Sequence, residues 1–143
     1  MIDFELIFST LFTLLSGSSG SFVTVSRRAK PWSEVPQNQQ PALFQEQHDF
    51  KVTQKAVGFP AVYHLEADAI IYAYSTDKTI SPAQVINPLI SGVVNTLAPD
   101  VNGQQTLGLS NVSHCWIEGA IETDEGKLGD QAVAVIPIKI LAT

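Results

Sequence analysis

Thr106-Leu-Gly-Leu-Ser-Asn-Val-Ser-His-Cys-Trp-Ile-Glu-Gly-Ala-Ile-Glu-Thr123, then Asp124-Glu-Gly-Lys-Leu-Gly-Asp130, then Gln131-Ala-Val-Ala-Val-Ile-Pro-Ile-Lys-Ile-Leu141 reads as strand, polar connector, strand. In the first segment Cys115, Ile117 and Ile121 fall on one side, and His114, Trp116, Glu118 and Glu122 on the other. Successive side chains of a strand point to opposite faces, so this alternation predicts a strand over about 113–122 with one buried face. The connector carries Asp124, Glu125, Gly126, Gly129 and Asp130, residues that form turns and resist strand pairing. The return segment, 131–141, is dense in Val133, Val135, Ile136, Ile138, Ile140 and Leu141, which predicts a strand well inside the sheet or beneath a helix. Nothing in this hairpin points to catalysis.

Upstream, Asn87-Pro88 reads as a helix cap followed by proline at the first helical position. Leu89, Ile90, Val93, Val94 and Leu97 then form one stripe, and Pro99 ends a helix over about 88–98. A helix begun at Pro82 would carry Pro88 in its interior, so only a short helical turn is expected over 82–86. Residues 61–74 predict a long strand with Tyr63, Leu65, Ala67, Ala69 and Ile71 on one face. Its other face starts polar with His64, Glu66 and Asp68 and turns apolar at Ile70, Tyr72 and Tyr74, which suggests a cover supplied by the first helix or by another subunit. Residues 42–54 predict a strand that runs on through a bend.

Pro31 to Pro41 holds three prolines and three glutamines and is expected to lack regular structure. Its Trp32 and Val35 either pin the loop to the core or serve as anchors for a partner. Residues 22–28 predict a strand ending in Arg27, Arg28 and Lys30, a solvated strand end or a contact to an acidic neighbour or a phosphate backbone. Residues 2–16 predict a helix whose stripe is Phe4, Ile7, Phe8, Leu11, Leu14 and Leu15. A signal peptide is the rival reading. Asp3 and Glu5, and the lack of a cation before the apolar run, count against it. The segment is short of the roughly 20 apolar residues that a membrane span needs.

The order of helix, three strands, helix and two strands lacks a βαβ rhythm. It predicts an α+β domain over 1–143, with a single antiparallel or mixed sheet and about two helices packed on one face. A chain of 143 residues can bury about 70% of its unfolded surface without staples. Its single cysteine forms no internal disulfide and supplies no metal spacing. The net charge of −6 excludes a phosphate-gripping basic face as the general character of the surface, while letting DNA slide past.

No nucleophile elbow, phosphate-binding loop or calcium loop is present in the sequence. His48, His64 and His114 are isolated in sequence, and a hydrolase would have to pair Cys115 with His64 across strands. A buried, inert thiol is the simpler reading. By elimination the residues describe a structural or binding module with no cofactor.

Trp32-Ser-Glu-Val35, Gln40-Pro-Ala-Leu-Phe44, Asn87-Pro-Leu-Ile90, Gln105-Thr-Leu-Gly108, His114-Cys-Trp-Ile-Glu-Gly119, Gly129-Asp-Gln-Ala132 and Ile136-Pro-Ile138 follow one another in this order. Together they resemble the tail terminator, or tail completion, proteins of long-tailed bacteriophages, of the lambda-type minor tail protein family. The resemblance spans the chain; it departs from the pattern at Leu109, where a second glycine is expected after Gly108. It implies a tail-tube-like fold and a non-enzymatic protein of the virion, assembled in the host cytoplasm. It also implies a homo-hexameric ring that caps the tail tube, ends its growth and docks the head-side connector or stopper. DNA passes through the lumen without specific binding, and no membrane is involved. A stopper or head-completion protein of the same neck is the alternative. For such a ring the candidate contact residues are Arg27, Arg28, Trp32, Val35, Ile70, Tyr72 and Tyr74, and the candidate lumen charges are Asp124, Glu125 and Asp130.

Overall fold

The long strand β4 (Val62–Tyr74) and the last strand β7 (Gln131–Ala142) pair antiparallel from Tyr63 opposite Ala142 to Tyr74 opposite Gln131. This pair is the spine of a computed structural model that describes residues 1–124 and 129–143. Outside β4 lie β2 (Ala42–Gln47) and β3 (Lys51–Thr53), both antiparallel to it, and β1 (Thr24–Ser26) runs parallel to β2 at the edge. Outside β7 lie β5 (Val112–Ile117) and β6 (Glu122–Asp124), both antiparallel to it. Among the described residues the result is an α+β fold with one mixed sheet of seven strands and two α-helices.

The register sorts the two faces. Leu65, Ala67, Ala69, Ile71 and Ala73 of β4 stand opposite Ile140, Ile138, Ile136, Ala134 and Ala132 of β7, and all are buried in the main core. Helices α1 (Phe4–Ser16) and α2 (Pro82–Thr96) cover this face. Asp3 caps α1 by accepting the Leu6 N–H at 3.0 Å. The buried residues of α1, Ile7, Phe8, Leu11 and Leu15, come from the expected stripe and contribute roughly 1.5–3 kcal/mol each.

Four elements depart from the expected boundaries. First, α2 is one helix from Pro82, not a turn followed by a helix at Pro88, and its cap is Ser81 rather than Asn87. The Ser81 N–H donates to Gln84 Oε1 at 2.9 Å. An interior proline costs about 3 kcal/mol, but Ile86, Leu89, Val93 and Leu97 are buried on both sides of an exposed Pro88, and their burial outweighs the lost backbone bond. Second, the 42–54 strand breaks at His48–Phe50, because Phe50 turns to pack on Phe4 and Phe8 at centroid distances of 4.9 and 5.7 Å. Third, the 113–122 strand stops at Ile117. Gly119 takes φ +109, outside the range of side-chain-bearing residues, and pairing resumes only at Glu122. The 22–28 strand shortens to three residues.

Close approach of the two helical segments depends on Gly92, since a Cβ there would lie 2.7 Å from the Ser18 carbonyl oxygen. In the turn before Leu109, Leu107 takes φ 57 and Gly108 φ 72. The Gln105 side-chain oxygen holds this turn by accepting the Leu107 N–H at 3.0 Å.

Candidate interface surfaces

The apolar end of the second sheet face is covered not by α1 but by the chain's own proline-rich loop. Two single-turn helical segments, Trp32–Glu34 and Gln37–Gln39, give that loop more regularity than expected. They carry Val35 onto Phe44, Tyr72 and Ala42, with Ile70 and Val133 at the margin. The Tyr72 hydroxyl donates to the Lys30 carbonyl at 2.6 Å, and burial pushes its phenol pKa up. Beneath the loop, Gln40 donates to the Val35 carbonyl at 3.0 Å and to Gln131 Oε1 at 2.8 Å.

Two residues named as contact candidates pack against each other within the subunit. Val35 is 4% exposed and Tyr72 5%, so they meet each other inside one subunit and offer no outer surface. Trp32 keeps 39% exposure, and Ile70 and Tyr74 are partly buried. Alternation singled out the β4 patch and composition the two apolar residues of the loop, and the fold brings Val35 onto Tyr72.

The basic cluster divides. Arg27 pairs with Glu5 of α1 at 2.6 Å, an exposed pair of little energetic weight. Arg28 and Lys30 are exposed and form no ion pair among the described residues.

The acidic connector is not a uniform set of free charges. Asp130 pairs with Lys78, and its carbonyl accepts the Ser75 N–H at 2.9 Å, which ties the connector to the loop after β4. Asp124 ends β6 opposite Val133, with Oδ1 buried and no partner among the described residues. Glu125 lies outside the described residues.

The rest of the second face carries paired polar side chains. His48 meets Asp68 at 2.7 Å, and that carboxylate, through its hydrogen bond, raises the His48 pKa. Glu66 meets Lys139 at 2.5 Å, and the ammonium lowers the carboxyl pKa. His64 Nε2 lies 3.4 Å from Thr53 Oγ1. The alternation of His64, Glu66 and Asp68 signalled an exposed face; their partners come from β3, β7 and the break after β2, which local patterning does not reach.

Cys115 is fully buried on the helix side of the sheet, where desolvation pushes its thiol up to about 12. His64 and His114 stand opposite Leu141 on the other face, so neither can serve Cys115 as a base. His114 instead accepts the Gln105 N–H at 3.1 Å and stacks on Trp116. Among the described residues no group of three or more His, Cys, Asp or Glu converges to hold a metal, and no helix is long and apolar enough to cross a membrane. In comparisons with known proteins, no family model matches the chain and no curated protein matches it.

Proposed function

We propose that this chain is a structural protein of the long-tailed bacteriophage virion, a tail terminator that forms a six-membered ring on the tail tube, ends tube growth and presents the docking surface for the head. The observation that carries the reading is how the fold joins the segments that carry the resemblance. Gln40 of one segment closes on Gln131 of another, 91 residues away, through buried amide groups at 2.8 Å. Gln105 joins the segment His114–Gly119, its carbonyl accepting the Cys115 N–H at 2.8 Å and its own N–H donating to His114. Residues scattered in sequence thus act as pairs that fix the loops at the two ends of one sheet. Their joint occurrence in order supports a shared fold, and with it the ring.

A net charge of −6 fits a lumen through which DNA passes without being held, because like charge prevents sticking. With Asp130 engaged by Lys78, this reading rests on the overall charge rather than on the connector alone.

Electron microscopy of the purified protein, alone and mixed with the tail tubes of its own phage, tests the proposal. Rings of six, and caps at one end of tubes that then stop lengthening, are the expected result. Tubes that stay uncapped and continue to grow overturn it, and binding to the portal side instead assigns the chain to the head-side neck.

A further inference from the structure

Five strands cross the sheet at one level, and the two outermost are unlike. Ser26 of β1 stands beside Phe44, Phe44 beside Ile70, Ile70 beside Val135, and Val135 beside Glu122 of β6. Thr24, Ala42, Tyr72, Val133 and Asp124 form the parallel row. Each of the two end strands is three residues long and, among the described residues, has a strand neighbour on one side only. An edge strand with unpaired backbone groups is a template for a further strand.

The two edges carry opposite charge. Arg28 and Lys30 follow β1 directly, whereas Lys51 and Lys55 farther along the same flank stand with Glu46 and Asp49. On the other flank Glu118, Glu122 and Asp124 follow one another, and no lysine or arginine occurs from Val112 to Asp124.

From these observations the geometry points to a contact between copies of this chain in which β1 of one subunit pairs with β6 of the next, extending the sheet from subunit to subunit. This rests on the ring reading above and names the surfaces that would build the ring. Strand direction permits the contact. β1 runs with β2, and β4, β7 and β6 each reverse their predecessor, so β1 and β6 run oppositely. A neighbour related by rotation about an axis along the strands therefore brings its β1 antiparallel to β6. Charge selects this arrangement over a two-fold one. Two β1 edges would set Arg28 and Lys30 against their own copies, and two β6 edges would set Glu122 and Asp124 against theirs. A contact between unlike edges is head-to-tail, and such contacts close into rings when the rotation permits. Val25, 40% exposed on the helix side of β1, meets the row of Thr123 on the same side of the sheet and supplies apolar surface at the joint.

Charge reversal tests the contact, with circular dichroism and melting confirming that each variant folds. Arg28→Glu with Lys30→Glu makes both edges acidic, and Glu118→Lys with Glu122→Lys makes both basic. Sedimentation at low salt should show each variant associating at least about tenfold more weakly than the unaltered chain, because like edges repel. A chain carrying all four substitutions, and an equimolar mixture of the two half-reversed chains, should associate again within about threefold of the original. Half-reversed chains that assemble as well as the original overturn the edge assignment and leave the ring standing. A fully reversed chain that stays dissociated overturns the edge assignment in the same way. An unaltered chain that remains monomeric at high concentration overturns the contact, while tube capping decides the functional reading separately.

Discussion

Gln40 and Gln131 form a reciprocal pair: the side-chain nitrogen of each lies 2.8 Å from the side-chain oxygen of the other, and both residues are buried. The pair locks the proline-rich loop to the start of β7. Gln131 also donates to the Ala73 carbonyl at 3.1 Å, so strand, loop and return strand meet at one amide. Replacing Gln131 with leucine leaves the Gln40 amide and the Ala73 carbonyl buried without their partner. The expected cost is about 2 kcal/mol, the desolvation penalty of an orphaned buried polar group. Urea unfolding should show the midpoint fall with its slope unchanged. A midpoint within error of the original would show that water replaces the pair at no cost.

Gly92 gives a case where helix propensity and packing oppose each other. Alanine is favoured over glycine by about 1 kcal/mol in a helix interior. At this position its Cβ would stand 2.7 Å from the Ser18 carbonyl oxygen, a backbone atom that cannot swing aside. Gly92→Ala is therefore expected to lower the melting temperature. Ala substitution at Ser91, exposed on the same helix, should leave it nearly unchanged. A Gly92→Ala protein that melts higher would show that α2 and the segment after α1 separate easily.

The His48–Asp68 pair predicts a pH dependence with a definite sign. The folded pKa of His48 lies above its ordinary 6.5. A raised histidine pKa contributes stability that is fully present below the unfolded value and is lost as pH rises through the folded one. The contribution is small, because the ring is largely solvated. NMR titration of the ring should give a midpoint above 6.5, and Asp68→Asn should move it down, since Asp68 supplies the largest upward influence. Equal midpoints in the two proteins would contradict the pairing.

Cys115 should resist thiol-reactive probes at neutral pH in the folded protein and react fully once it is unfolded. Its thiol is pushed up to about 12 by burial, so almost no thiolate exists to attack. Fast labelling of the folded chain would revive the hydrolase reading.

How far local sequence reaches can be judged from particular residues. Ile7, Phe8, Leu11 and Leu15 announced α1, and Cys115 and Ile117 announced the buried face of β5, because the spacing of apolar residues along one segment is a local property. The dense apolar composition of 131–141 likewise placed β7 in the sheet interior. The parallel pairing of β1, the isolated strand β6 and the break at Phe50 were not legible, since each depends on a neighbour distant in the chain. Of the candidate contact residues, Val35 and Tyr72 were recognised as apolar in polar surroundings, but what they touch was not.

The sequence by itself determined the α+β class, the interior place of β7 and the acidic balance of the surface. Periodicity and charge are written residue by residue, so no folding is needed to read them. Only the tertiary structure decided that α2 runs through Pro88, that Asp130 is held by Lys78, and that the loop at Val35 covers Tyr72. Each of these follows from contacts between segments far apart in the chain, where burial or charge pairing outweighs local preference.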